Sequence, residues 1–477
     1  MATTKLLIST TLSIAISGVG MEAAQAAERP NVIFFLIDDL GYSDISFEGR
    51  SSFYQTPNID KFISESLFFE NSYSAAANSA PARACLMTGV YTPRHGVYTV
   101  GTGDRGDAKS RKFIAAKNRV DVASEFYTMG EMFSDAGYRC ASIGKWHLGS
   151  DLNGGNTGPL SQGFHHNIAG DRAGTPYSYF YPYTDKKGLS HIGLEEGDQG
   201  EYLTDRLTDE AIKFITDNRD EPFFLYLSHH GVHTPIVSPG EELQRKYESR
   251  KADSLHNNPT YAAMIESVDI SFSRIIETIE KLAIEDDTIA VLYSDNGGSH
   301  PTNCYPLRGG KGTPYEGGSR VPLAIKWSGK TTAGSRTDVP VTGVDFYPTF
   351  AKAIGAESPE GLDGEDIFTL IETESYDRDI FWHFPAYLQG YSGNKGFRAT
   401  PYSTIRSGDW KLIYLYEDDS CELYNLATDA SESENLSQTR PDIREELLQR
   451  LNEWLKATNA PTTFDANPEY SPAMSIE

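Results

Sequence analysis

Asp38-Asp39 and Asp295-Asn296 each follow a short apolar run, and together they offer three carboxylates and one amide carbonyl. Hard oxygen donors of this kind suit Ca2+ or Mg2+ rather than zinc, and Ca2+, which tolerates irregular oxygen cages, is the cation expected. Ser79 opens the stretch Ser79-Ala80-Pro81-Ala82-Arg83, continued by Ala84 to Gly89, and so places a hydroxyl just ahead of a guanidinium. In Gly144-Lys-Trp-His-Leu-Gly149, Lys145 and His147 stand two apart, so both side chains point the same way from an extended segment. Lys311 lies in the glycine-rich run Pro306 to Pro322, where glycine is expected to let the backbone approach a ligand. His233 closes the segment that begins His229-His230, and an imidazole at that place can give a proton to a departing alcohol. Arg83, Lys145 and Lys311 are cations that, once fixed around a transferring anionic group, stabilise its transition state more than its solvated ground state.

Positioning such groups requires rigid elements. Asn31 to Ile37 is a continuous apolar run between Pro30 and two aspartates, as expected of a buried parallel strand ending at a site. The same grammar recurs three times: a helix over 121–136 before a strand over 138–143, a helix over 201–218 before a strand over 223–228, and a helix over 261–284 before a strand over 288–294. Alternation of this kind predicts an α/β fold with a doubly wound parallel sheet, whose strand carboxyl ends are where ligands bind. After about Thr373 the texture changes to short strand-like runs at 402–405, 410–416 and 422–426, then a helix over 441–457. These predict a smaller C-terminal α+β part with an antiparallel sheet.

At 477 residues the chain fits one large domain with a smaller companion. The expected organisation is a signal peptide at 1–26, a catalytic α/β domain at 27–373 and a C-terminal subdomain at 374–477. Lys5, the apolar stretch from Leu6 to Val19 and the small-residue signal Ala24-Gln25-Ala26 support the leader, with cleavage after Ala26. That stretch is shorter than the roughly 20 residues of a membrane span, and no later one is apolar enough, so a soluble periplasmic or secreted protein is expected. Four widely separated cysteines show no zinc-site spacing and leave disulfide pairing open. With 67 acidic against 42 basic residues the formal charge is -25, which argues against nucleic acid as a partner. An anionic polymer would also be repelled at long range, so any such substrate must be drawn by a local cluster of cations.

Taken in order, the motifs resemble those of the type I sulfatases, whose signature is Cys or Ser, x, Pro, x, Arg, four further residues, and Thr-Gly; here it runs from Ser79 to Thr88-Gly89. The likeness is to the serine-type, polysaccharide-active, arylsulfatase-like branch. It extends through Tyr402 to Ile413 and Cys421 to Leu426, which look like the family's C-terminal strands. The resemblance implies an alkaline-phosphatase-like fold and oxidation of Ser79 by a serine-type maturase to Cα-formylglycine, whose hydrate supplies two geminal hydroxyls. It implies a divalent cation, Ca2+ or else Mg2+, held by Asp38, Asp39, Asp295, Asn296 and the modified Ser79. It implies a covalent sulfo-enzyme formed at Ser79 among Arg83, Lys145, His147, His233 and Lys311. His233, with Lys311, would protonate the leaving oxygen, and His147 would take a proton as sulfate is expelled. Val232 stands where relatives commonly have Pro, and His229 and His230 are extra.

The expected substrate is a sulfated oligosaccharide, cut from the end of a galactose-type glycan of the kind found in marine algae. Its sugar is expected to meet His383, in a block that looks like one in polysaccharide-active relatives, together with Asp171, Arg172 and the aromatic cluster Tyr177 to Tyr183. Two alternatives stand beside this: a phosphomonoesterase or phosphodiesterase on the same fold, and a carbohydrate-binding protein without turnover.

Overall fold

The computed structural model describes residues 29–391 and 396–472, so the expected leader at 1–26 lies outside the described residues. In chain order the first ten strands are β1 (Asn31–Ile37), β2 (Leu67–Phe69), β3 (Ser72–Tyr73), β4 (Arg139–Gly144), β5 (His166–Ile168), β6 (Phe223–His229), β7 (Thr288–Ser294), β8 (Leu323–Lys326), β9 (Arg336–Thr337) and β10 (Val341–Thr342). Eight of them form one sheet in the order β5-β4-β6-β1-β7-β8-β2-β9, parallel except where β8 runs against β7 and β2. β1 is central and pairs with β6 and β7, and its side chains alternate between two cores. Ile33, Phe35 and Ile37 pack with the helices Leu203–Asp217 and Pro259–Lys281. Val32, Phe34 and Leu36 pack with Phe133, Phe346 and Phe350 on the opposite face. A strand buried on both sides has few polar positions to spare, which is why its sequence from Val32 to Ile37 is unbroken Val, Ile, Phe and Leu.

Register brings the strand ends together. Ile37 lies opposite His229 and Ser294, and Gly144 lies opposite Ser228, so Asp38-Asp39, Lys145, His230 and Asp295-Asn296 all leave the sheet at one edge. The helix expected over 121–136 is shorter than that, Met129–Asp135. Its start is fixed by a capping box: Glu131 accepts from the Thr128 amide at 2.8 Å, and the Thr128 hydroxyl accepts from the Glu131 amide at 3.4 Å.

Toward the C-terminus lie β11 (Asp379–Phe384), β12 (Leu388–Gln389), β13 (Phe397–Ala399), β14 (Tyr402–Ser407), β15 (Trp410–Leu415) and β16 (Ser420–Asn425). β11, β14, β15 and β16 form an antiparallel sheet in that order, and the helix Pro441–Ala457 packs Leu447, Leu451 and Leu455 against it. A buried ion triad ties this sheet to the glycine-rich run. Lys411 Nζ donates to Glu316 Oε1 at 2.9 Å and lies 2.9 Å from Glu432 Oε1, off the hydrogen-bonding direction. Glu432 Oε2 accepts from the Glu316 amide at 2.7 Å. All four cysteines are unpaired, and no helix among the described residues is long and apolar enough to cross a membrane.

Candidate active site

Ser79 is the first residue of the helix Ser79–Thr88, and every residue of that helix is buried. Pro81 is tolerated because the first amides of a helix have no intrahelical acceptor to lose, and Gly89 ends the helix in the left-handed conformation at φ 68°. No side chain caps the helix start, so its partial positive charge is free to favour an anion.

Ser79 Oγ lies 3.1 Å from Asp38 Oδ1, 3.0 Å from Asn296 Oδ1 and 3.3 Å from Lys311 Nζ. Arg83, one helical turn on, donates through Nε to Asp295 Oδ2 at 2.9 Å and through Nη1 to the Lys145 carbonyl at 2.8 Å. Lys145 Nζ binds Asp38 Oδ2 at 2.7 Å, and Lys311 Nζ binds Asp39 Oδ1 at 2.6 Å. His233 Nε2 stands 3.7 Å from Asp39 Oδ2, and its Nδ1 donates to the Thr234 carbonyl at 2.8 Å. Since a carbonyl only accepts, Nε2 is the atom left to exchange a proton.

Charges in the cluster balance. Burial pushes the Asp38 carboxyl up, but the Lys145 ammonium, with His233 and Arg83, outweighs it and holds Asp38 below the usual carboxylate range. Burial likewise opposes ionisation of Asp39, and Lys311 overcomes it. The two lysines part ways: burial drives Lys145 down despite Asp38, whereas at Lys311 the charges of Asp39, Asp38 and Asp295 overcome burial and drive it up. Burial, then the cations Lys145 and Arg83, push His147 well below the ordinary imidazole range, so it stays neutral beside them. His233 is lowered by burial and then by Lys311, with Asp39 pulling the other way.

Asp38, Asp39 and Asp295 each present a carboxylate oxygen, all within 4.8 Å of one another. So compact an all-oxygen set matches a hard divalent ion. Two buried polar atoms here, Arg83 Nη2 and His147 Nδ1, have no hydrogen-bond partner, which leaves capacity for further oxygen atoms. The residues therefore fit both a divalent cation and an oxidised, hydrated Ser79, whose Oγ stands for one of the two hydroxyls.

The cluster lies beneath a cleft of about 520 Å³ lined by His147, His233 and Lys311 and also by Asn78, Arg105, His300, Tyr391 and Arg398. The last five had no motif to announce them. The glycine-rich run packs closely on the turn after β7: a Cβ on Gly297 would lie 1.8 Å from the Gly317 carbonyl oxygen, and one on Gly310 would lie 2.7 Å from the Gly298 carbonyl oxygen. The amide of Lys311 is then held by the Gly298 carbonyl at 2.8 Å.

Three expected sugar contacts are not brought to the cleft. His383 is 4% exposed, its Nδ1 sits 2.7 Å from Ser403 Oγ, and Tyr98 packs edge-on against its ring. Burial pushes it down to about 3, which marks a neutral junction residue. Asp171 is buried against His191 Nδ1 at 3.0 Å, and its carbonyl accepts from the His147 amide at 2.8 Å, so it supports His147 from behind. Arg172 is exposed and lies outside the cleft lining. In the Tyr177 to Tyr183 cluster Tyr179 and Tyr183 are buried and the other aromatics half-buried; Tyr177 stacks on His191 at 4.0 Å, and the Tyr179 hydroxyl donates to the His233 carbonyl at 2.7 Å.

A mostly parallel sheet that gathers acids and cations at its strand ends, with a small antiparallel sheet alongside, defines an alkaline-phosphatase-like hydrolase. The sulfatase family profile matches residues 30–356, and that of the N-sulphoglucosamine sulphohydrolase C-terminal region matches residues 310–459. The chain belongs to the sulfatase family and is a sulfuric ester hydrolase. It is 34% identical to a sulfatase of Formosa agariphila over 92% of this chain and 90% of that protein. It is 27% identical to the N-acetylgalactosamine-6-sulfatase of Mus musculus, over 91% of this chain and 81% of that one. Among solved structures, Ps i-CgsB in complex with k-i-k-neocarrahexaose is similar at a TM-score of 0.74 and 28% identity, covering 91% of this chain and 98% of that one.

Proposed function

We propose that this sulfatase removes sulfate from a sulfated oligosaccharide, of the terminal galactose type, with oxidised Ser79 as the nucleophile-bearing residue and Ca2+, or else Mg2+, as the cation. The observation that carries the reading is Ser79 Oγ set among Asp38, Asn296 and Lys311, the last of which lines the cleft. The carbohydrate class is supported by relatives named for N-acetylgalactosamine-6-sulfate and by the neocarrahexaose complex.

As formylglycine hydrate, residue 79 supplies one oxygen to attack sulfur and a second whose deprotonation releases the product; Asp38, Asp39, Asp295 and Asn296 would hold the divalent cation, which when bound would supply Lewis acidity. Arg83 orients Asp295 and the Lys145 segment. Lys145 and Lys311 hold charge against the group in flight, and because they are anchored beforehand they need little reorganisation as negative charge shifts. His233 delivers a proton through Nε2 to the leaving alcohol oxygen, assisted by the Lys311 ammonium. Neutral His147 receives the proton given up at residue 79. Residues 27–373 act as the catalytic domain and 374–477 as its C-terminal subdomain; a serine-type maturase supplies the oxidation, and the leader sends the chain to the periplasm or beyond.

The test is a panel of defined sulfated oligosaccharides, with aryl sulfates and phosphate esters alongside, and mass analysis of the Ser79 peptide. Sulfate release from a glycan by protein lighter at residue 79 by two hydrogen atoms is the expected result. Full turnover with an unmodified serine, or preference for phosphate esters, overturns it. A mature N-terminus at Ala27 would support export.

A further inference from the structure

Arg105 and Arg398 both line the cleft that Lys311 and His233 line. Arg398 is held in place: Nε donates to the Gln389 carbonyl at 3.0 Å, Nη1 reaches the Lys311 carbonyl at 3.4 Å, and the guanidinium lies 4.2 Å from the Tyr391 ring centroid. Those partners are carbonyls and a π face, and none is a carboxylate. Arg105 is half-buried, and burial, then the like charge of Arg398, holds its guanidinium below the usual range. Among the described residues neither makes an ion pair, in a chain whose acidic residues outnumber its basic ones by 67 to 42. By contrast Arg83, deeper in, is matched to Asp295 and Asp38, and Arg111, near Arg105 in sequence, is paired with Asp104. Two guanidinium groups lining one cleft without a carboxylate partner can be joined by an anion, and a planar fork of donors suits sulfate or carboxylate oxygens.

We propose that Arg105 and Arg398 form a second anion subsite, which engages an additional anionic group of the substrate while Ser79 and Lys311 hold the sulfate that is cleaved. The inference rests on the oligosaccharide sulfatase reading above and adds that the preferred substrate carries at least two negative groups. The second group is a sulfate ester or a uronate carboxylate. The arrangement also accounts for how a strongly acidic protein draws a polyanion: the attraction is confined to the cleft, where low-dielectric walls strengthen it.

The test compares kcat/KM for one oligosaccharide backbone in three forms: singly sulfated, doubly sulfated, and singly sulfated beside a uronic acid. The wild-type enzyme should prefer a doubly charged form roughly 10- to 100-fold, as expected for charge-assisted hydrogen bonds, and higher salt should shrink the preference. Arg105→Gln should cut that ratio by about ten-fold or more, with Arg105→Lys in between because it keeps the charge without the fork. Thermal unfolding of each variant controls for folding, and Arg398→Gln gives a second reading of the same ratio. Preference for the disulfated form identifies sulfate as the second group; preference for the uronate form identifies carboxylate. Equal kcat/KM on all three forms, or a ratio unmoved in both glutamine variants, overturns the subsite while leaving the sulfatase reading intact. Absence of sulfate release from every form by oxidised wild-type enzyme overturns the oligosaccharide reading itself.

Discussion

Replacing Lys411 by Met, or Glu432 by Gln, tests whether the buried ion triad couples stability to pH. Lys411 and Glu316 have fully buried side chains, and Glu432 is 1% exposed. Glu316 keeps other partners when Lys411 is lost, since the Tyr73 hydroxyl donates to it at 2.8 Å and Arg320 lies 3.7 Å away. Glu432 keeps only the Glu316 amide on its side chain, so Lys411→Met strands a buried carboxyl and should cost about 3–5 kcal/mol. Burial, and then the charge of Glu316, push Glu432 up from 4.5 to about 7 against the pull of Lys411. An unfolded chain releases that proton near its ordinary value, so between the two pKa values the folded state binds more protons. Stability must then fall as pH rises across that window, by about 1.4 kcal/mol per unit and so about 3 kcal/mol in all, complete above pH 7. Glu432→Gln removes the titration. Urea midpoints at pH 5, 6, 7 and 8, at constant slope, should show a pH dependence weaker in this variant by about 3 kcal/mol. An unchanged pH dependence in Glu432→Gln, or a wild-type midpoint in Lys411→Met, refutes the reasoning.

Ser79→Ala should fold normally and lose at least about 10³-fold in kcat, measured by sulfate release, because the nucleophile's position is emptied. Asp38→Ala and Asp295→Ala should lose bound divalent cation as well as rate, checked by elemental analysis; stoichiometric zinc in the wild type, or full activity after complete chelation, would contradict the oxygen-donor site. His233→Ala should lower kcat by about 10²- to 10⁴-fold, less for an activated aryl ester whose leaving group needs no proton, and an equal loss on glycan and aryl ester would remove His233 from the proton-donor role. His383→Ala should lower the unfolding midpoint through lost packing and its contact with Ser403 while scaling glycan and aryl activities together; selective loss of glycan activity would return it to the substrate site.

Legibility in the sequence followed how local the cause was. β1, β6 and β7 can be read because burial on both faces demands an apolar run, and the polar residues that follow are forced to a common edge by register. Three strands of the C-terminal sheet, β14, β15 and β16, show through their alternation and turns in the same way, whereas β11, which carries His383, does not. The start of the helix at Met129 is also written locally, in the capping pair Thr128 and Glu131. Other features depend on what lies across space. Nothing local separates a glycine that approaches a ligand from Gly297, which approaches the Gly317 carbonyl. Aromatics flanking a histidine look alike in a sugar cleft and in the junction where His383 packs on Tyr98. Arg105 and Arg398 belong to separate segments without a motif, and only folding brings them to one cleft.

The burial of the helix Ser79–Thr88 sets an order of events. Ser79 is 1% exposed, and each of the ten residues of that helix is shielded by the packed sheet and its loops. An enzyme that oxidises a side chain must enclose it and several neighbours in its own pocket, and the folded protein offers no such length of chain. Under the proposed chemistry, Ser79 is therefore converted while the chain is still extended, before the central strands assemble. Folding closes that interval. A molecule that folds first is trapped as the serine form, so the fraction of active enzyme in any preparation records a race between maturation and folding, and later exposure of folded protein to the maturase leaves that fraction unchanged.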